Sequence, residues 1–95
     1  MIVGIVKVKI HIPWAESLKD KRIVIRGICS KVRGRFNVSI AQVENQDIPK
    51  TAVLGFAFVT TDNRHADSVV DNVINFIESN VEGEVIKIER ETWGC

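Results

Sequence analysis

Hydrophobic and polar residues alternate from the start of the chain. Ile2, Val6, Val8, Ile10 and Ile12 fall on one side, and Lys7, Lys9 and His11 on the other. A period of two predicts a half-buried strand, and Pro13, which has no N–H for a sheet ladder, ends it. The period then changes. Leu18, Ile25, Ile28, Cys29 and Val32 share one face at helical spacing. Ser17, followed three positions later by Asp20, resembles a capping box, so a helix is predicted from there to about Arg35. Residues 36–44, FNVSIAQVE, alternate again. NQDIPK carries turn chemistry at Asp47 and Pro49, and TAVLGFAFVTT reads as a third strand, apolar on both faces. Asp62 is placed to cap a second helix whose apolar stripe is Ala66, Val69, Val70, Val73, Ile74 and Ile77. Asn80 and Gly83 end it, and EVIKIERE, residues 84–91, reads as the fourth strand.

The resulting order, βαββαβ, contains two right-handed β–α units and one hairpin. It predicts an α+β sandwich of the ferredoxin-like kind, a four-stranded antiparallel sheet with two helices on one face. The length, 95 residues, suits a single domain spanning 1–95. In such a sheet the first and third strands are central, which leaves Val3, Ile5, Gly55, Ala57 and Val59 on the uncovered face, flanked by Asn37, Ser39, Lys87 and Glu89. A patch of small apolar residues needs a cover, and a homodimer through Val3, Ile5, Ala57 and Val59 is the expectation.

Charge alters this picture. The net charge is only +1, yet residues 1–35 hold nine Lys or Arg against Glu16 and Asp20, while residues 36–95 hold four against ten acids. Seven of the cations lie between Lys19 and Arg35. Lys31, Arg33 and Arg35 suit a helix C-terminus electrostatically, whereas Lys19, Lys21 and Arg22 crowd a helix start that is already positive, where each is unfavourable by roughly 0.3–1 kcal/mol. Lys19, Arg22, Arg26 and Arg33 form a narrow stripe beside the apolar face. A solvated rim whose long stems cover the core is one reading; a surface for phosphates is the other, and the cations at the helix start favour it. Gly27 and Gly34 share the outer face with Ile23; room for a partner backbone is one reading of them, and tolerated drift is the other.

Reaction chemistry is not legible. Cys29 and Cys95 have neither CxxC spacing nor a histidine partner, so no metal site, redox motif or disulfide framework is expected. His11 and His65 stand alone, and Asp62, Asp67 and Asp71 read as a cap and a solvated face. The first β–α connection, IPWAES, has no phosphate-cradling glycines, which also argues against acylphosphatase-like chemistry. GFAFV, residues 55–59, resembles the aromatic strand of RNA recognition motifs. However, Leu54 and Thr61 replace the flanking basic and aromatic residues, and Val3 replaces the aromatic of the partner strand. Leu54, Phe56 and Phe58 are therefore expected in the core. The N-terminal run lacks a cleavage site, no segment is long enough to span a membrane, and a cytoplasmic protein without cofactor is expected.

HIPWAESLKDKR, RFNVSIAQVENQD and VLGFAFVTTD, in this order and spacing, resemble the YlxP-like family of small bacterial proteins. The resemblance covers nearly the whole chain and implies a ferredoxin-like fold. The neighbourhood of the family's genes, among those for translation and ribosome maturation, implies an RNA or ribosomal partner. The chain departs from the family in the hairpin, where QDIPKTA replaces a tryptophan-containing segment, so no role of that tryptophan carries over. Together these readings lead to a non-catalytic module that contacts structured RNA or a ribosomal particle through Lys19, Lys21, Arg22, Arg26 and Arg33. The alternative is a self-associating or protein-binding module that uses the open sheet.

Overall fold

A computed structural model describes residues Met1–Cys95. Its elements are β1 (Ile2–His11), α1 (Leu18–Arg35), β2 (Ser39–Glu44), β3 (Thr51–Thr60), α2 (Asn63–Asn80) and β4 (Glu84–Gly94). The strands form one antiparallel sheet in the order β2-β3-β1-β4, with β2 and β4 at the edges. This is the ferredoxin-like α+β sandwich.

Both helices start as their sequences dictate. The Ser17 side chain accepts from the Asp20 N–H at 3.1 Å, and the Asp20 carboxylate accepts from the Glu16 N–H at 3.0 Å, closing a reciprocal cap one residue wider than usual. Asp62 accepts from the His65 N–H at 2.8 Å. The even-numbered residues of β1 and β3 then meet the apolar stripes of α1 and α2 in one core, which contains Val8, Ile10, Leu54, Phe56, Val32 and Val73. Phe56 and Phe58 are buried here, at 2% and 7% exposure, and are not available to stack on bases. Gly4 stands directly opposite Phe58. A Cβ at Gly4 would lie 2.6 Å from Cε1 of that ring, so the aromatic occupies space that only glycine leaves open.

Two boundaries differ from the periodicity. Residues 36–38 are not strand: the Phe36 N–H closes α1 onto Val32 O, and its ring packs edge-on against Phe76 of α2 at 5.5 Å. Inter-helix packing thus takes Phe36 from the sheet. β4 runs three residues beyond 91, because Val3 pairs with Trp93 and Ile2 with Gly94. Thr92, Trp93 and Gly94 follow the polar run Glu89–Glu91, so no alternation announces the pairing.

Candidate nucleic-acid interface and the open sheet face

The thirteen cations sort by what they touch. Lys7 pairs with Glu44 at 2.6 Å, Lys87 with Glu89 at 3.4 Å, and Arg90 with Asp67 and Asp71 at 2.9 and 3.4 Å. Lys50 donates to the Pro13 and Ala15 carbonyls, and Arg35 lies over the Phe36 and Phe76 rings. Lys19, Arg22, Arg26 and Lys31 are exposed and have no acidic or carbonyl partner. Elsewhere only Arg64, exposed, and Lys9, half-buried, likewise lack such a partner. Unneutralised charge is therefore concentrated on α1. Arg33 is also exposed, but its guanidinium donates to Ile40 O at 2.7 Å, which fixes the flank carrying Lys19, Arg22 and Arg26 beside the β2 edge.

Lys21 requires a correction. It is 2% exposed, and its ammonium donates to the carbonyls of Asn45, Gln46, Ile48 and Thr51, at 2.5, 3.3, 2.6 and 3.2 Å. On a helix wheel it falls within the buried face between Ile25 and Ile28, and the β2–β3 turn folds over it. Asn45 takes a left-handed φ of 63° at the start of this turn, which aims successive carbonyls inward. Burial holds the Lys21 pKa below the ordinary lysine value, against the pull of the Asp47 carboxylate. The residue is a structural clamp and leaves the set of phosphate contacts. Its mildly unfavourable place near the helix start is thus explained by the hairpin.

On the uncovered face, the residues expected at an interface are adjacent: Val3 pairs with Val59, and Ile5 with Ala57. Val59 is 65% exposed and Ile5 36%. The small side chains of Ser39, Ala41, Gly55 and Ala57 floor a trough of about 670 Å³ that extends across the sheet to Ile5 on β1 and to Glu89 and Glu91 on β4. Two features were not read from the sequence. Trp93, 49% exposed, stands beside Val3 because β4 is longer than its alternation suggests. The Lys7–Glu44 pair joins β1 to β2 across the intervening β3, over the narrow surface at Gly55; Glu44 sits below the usual carboxylate range because Lys7 hydrogen-bonds to it.

No group of three or more His, Cys, Asp or Glu is arranged to hold a metal ion, and no helix is long and apolar enough to cross a membrane. Cys29 is buried, and burial pushes its thiol pKa up, the opposite of what a nucleophile needs.

Comparison with known proteins agrees with the motifs. The profile of a family described as "Protein of unknown function (DUF503)" matches residues 3–90. "Uncharacterized protein YlxP" of Bacillus subtilis (strain 168) is 33% identical over 92 residues, which span 97% of this chain and 99% of that one. Among solved structures, the de novo designed protein Ferredog-Diesel gives a TM-score of 0.46 at 9% identity, covering 94% of this chain and 83% of the design. The chain belongs to the DUF503 family, as a relative of YlxP.

Proposed function

We propose that the protein is a non-catalytic, cytoplasmic module that meets structured RNA or a ribosomal particle through α1, with Lys19, Arg22 and Arg26 neutralising phosphates and Arg33 at the end of the row. The observation that carries this reading is the partnering of the cations. Those on the sheet and on the loops are mostly held by acids or carbonyls, whereas four of the seven on α1, Lys19, Arg22, Arg26 and Lys31, extend into solvent unpaired. Ion pairing within the fold would have been available, since the chain has twelve acids. With the phenylalanines buried, shape and charge set recognition instead of base stacking.

The test compares binding of purified ribosomal particles and of a structured RNA hairpin by the wild type and by the Lys19→Gln/Arg22→Gln/Arg26→Gln variant. Affinity for both falls at low salt, whatever the base sequence, while a Lys87→Gln/Arg90→Gln control binds nearly as the wild type. Equal binding by the two variants would return α1 to a solvated rim.

A further inference from the structure

We infer that the open sheet face is closed by a second copy of this chain, related by a two-fold axis lying between the sheets and parallel to the strands, midway between β1 and β3. The exposed apolar residues of the face and the register of its charges carry the argument. Ile5 projects from β1, Trp93 from β4 and Val59 from β3, while Ser39, Ala41, Gly55 and Ala57 between them are small. An axis in that position lays β1 over the partner's β3 and β4 over the partner's β2. Ile5 then enters the trough of about 670 Å³ near Ala57 and Ala41 of the second copy. Trp93, in the row of Val3 and Val59, comes opposite a second hollow of about 480 Å³ lined by Asn37, Val38 and Ser39.

Charge selects the same arrangement. Glu44 on β2 and Lys87 on β4 lie level with Lys9 and Val53, so the axis brings each Glu44 opposite Lys87 of the other copy, and each Glu91 opposite a Ser39 hydroxyl. A face-to-face two-fold perpendicular to the strands at Ile5 would set Glu91 against Glu91 and Trp93 against Glu89, which charge repulsion and desolvation oppose. The aligned stacking also matches the way twisted sheets pack, at about 30° and about 10 Å apart. Size is adequate. Four strands around ten-residue central ones give a face of roughly 600 Å² in projection, more along its corrugated surface, near the about 800 Å² per partner of an ordinary interface. The apolar rows of Val3 and Ile5 occupy one end of the face, and the rows of Lys7 with Glu89 and of Lys9 with Lys87 and Glu44 the other. Both α1 helices stay outside, so association is independent of the RNA reading.

Sedimentation of the RNA-free full chain tests this. The wild type sediments as a dimer, at twice 10.7 kDa. Ile5→Lys places a charge in the trough and Ala41→Trp fills it, and both variants sediment as monomers with wild-type helical circular dichroism. Should either fail to fold, the charge exchange keeps the test. Glu44→Lys and Lys87→Glu each raise the dimer dissociation constant about two- to tenfold, and together they restore it. A wild type that stays at 10.7 kDa at the highest attainable concentration overturns the inference, whether or not the face takes up an apolar dye such as anilinonaphthalene sulfonate. So does a dimer indifferent to Ala41→Trp and to the charge exchange.

Discussion

The ammonium of Lys21, on the first turn of α1, donates to the carbonyl of Ile48 across 2.6 Å, tying the helix start to the tip of the β2–β3 hairpin. Three further carbonyls of the same turn share that ammonium. A lysine that resembles its exposed neighbours in sequence is thus the only polar or charged residue buried in the protein.

Lys21→Met leaves those carbonyls without their donor. Unfolding stability falls by about 2–4 kcal/mol, the scale of losing charge-assisted hydrogen bonds in a buried site. Chemical denaturation measures the loss, and amide exchange shows it concentrated over residues 45–51. Below its melting temperature, the variant binds RNA with an unchanged salt dependence; a reduced salt slope would restore Lys21 to the interface.

Phe56→Ala costs about 3–5 kcal/mol, the usual effect of emptying a large buried site. Loss of RNA binding at wild-type melting temperature would instead show an exposed, base-stacking ring.

Gly4→Ala drives a methyl group into the Phe58 ring and costs about 1–3 kcal/mol by overpacking. Phe58→Leu shortens the opposing side chain. Combined with Gly4→Ala, it loses less than the two single costs added, a coupling that a double-mutant cycle reads directly.

Lys7 lowers the Glu44 pKa through a hydrogen bond and its charge. A carboxyl whose folded pKa is depressed contributes stability that is full above its unfolded value, near 4.5, and is lost as pH falls through the folded one. The Glu44 carboxyl carbon, followed by NMR, titrates below the ordinary glutamate range, and Lys7→Gln returns it to that range. An identical midpoint in both proteins would mean that the ion pair does not persist in solution.

Most of the fold was legible because its signals are local. The alternation of β1, the stripes of the helices, and the caps at Ser17 and Asp62 each lie within a few residues. The misses were long-range. Trp93 joins the sheet through pairing with Val3, 90 positions away, and nothing near residue 93 encodes that pairing. Phe36 continues the alternation of β2 but packs against Phe76 of α2. In the candidate site, the stripe of Lys19, Arg22 and Arg26 followed from helical spacing. Lys21 did not, because its role depends on four carbonyls 24 to 30 residues further along the chain. Its wheel position among buried residues was the available signal, and its charge hid it.

The salt dependence of RNA affinity tests the central claim most directly. Each phosphate neutralised by a side chain releases counterions. Removing Lys19, Arg22 and Arg26 together therefore lowers the slope of log affinity against log salt by about 0.7–0.9 for each phosphate left unneutralised, roughly 2–3 in all. Stability holds or rises slightly, since two of the cations sit near the positive end of a helix dipole. Titrations of one RNA hairpin from low to moderate salt, with wild type and with the triple glutamine variant, give both slopes. A difference of about two or more supports the account, and parallel lines would contradict it.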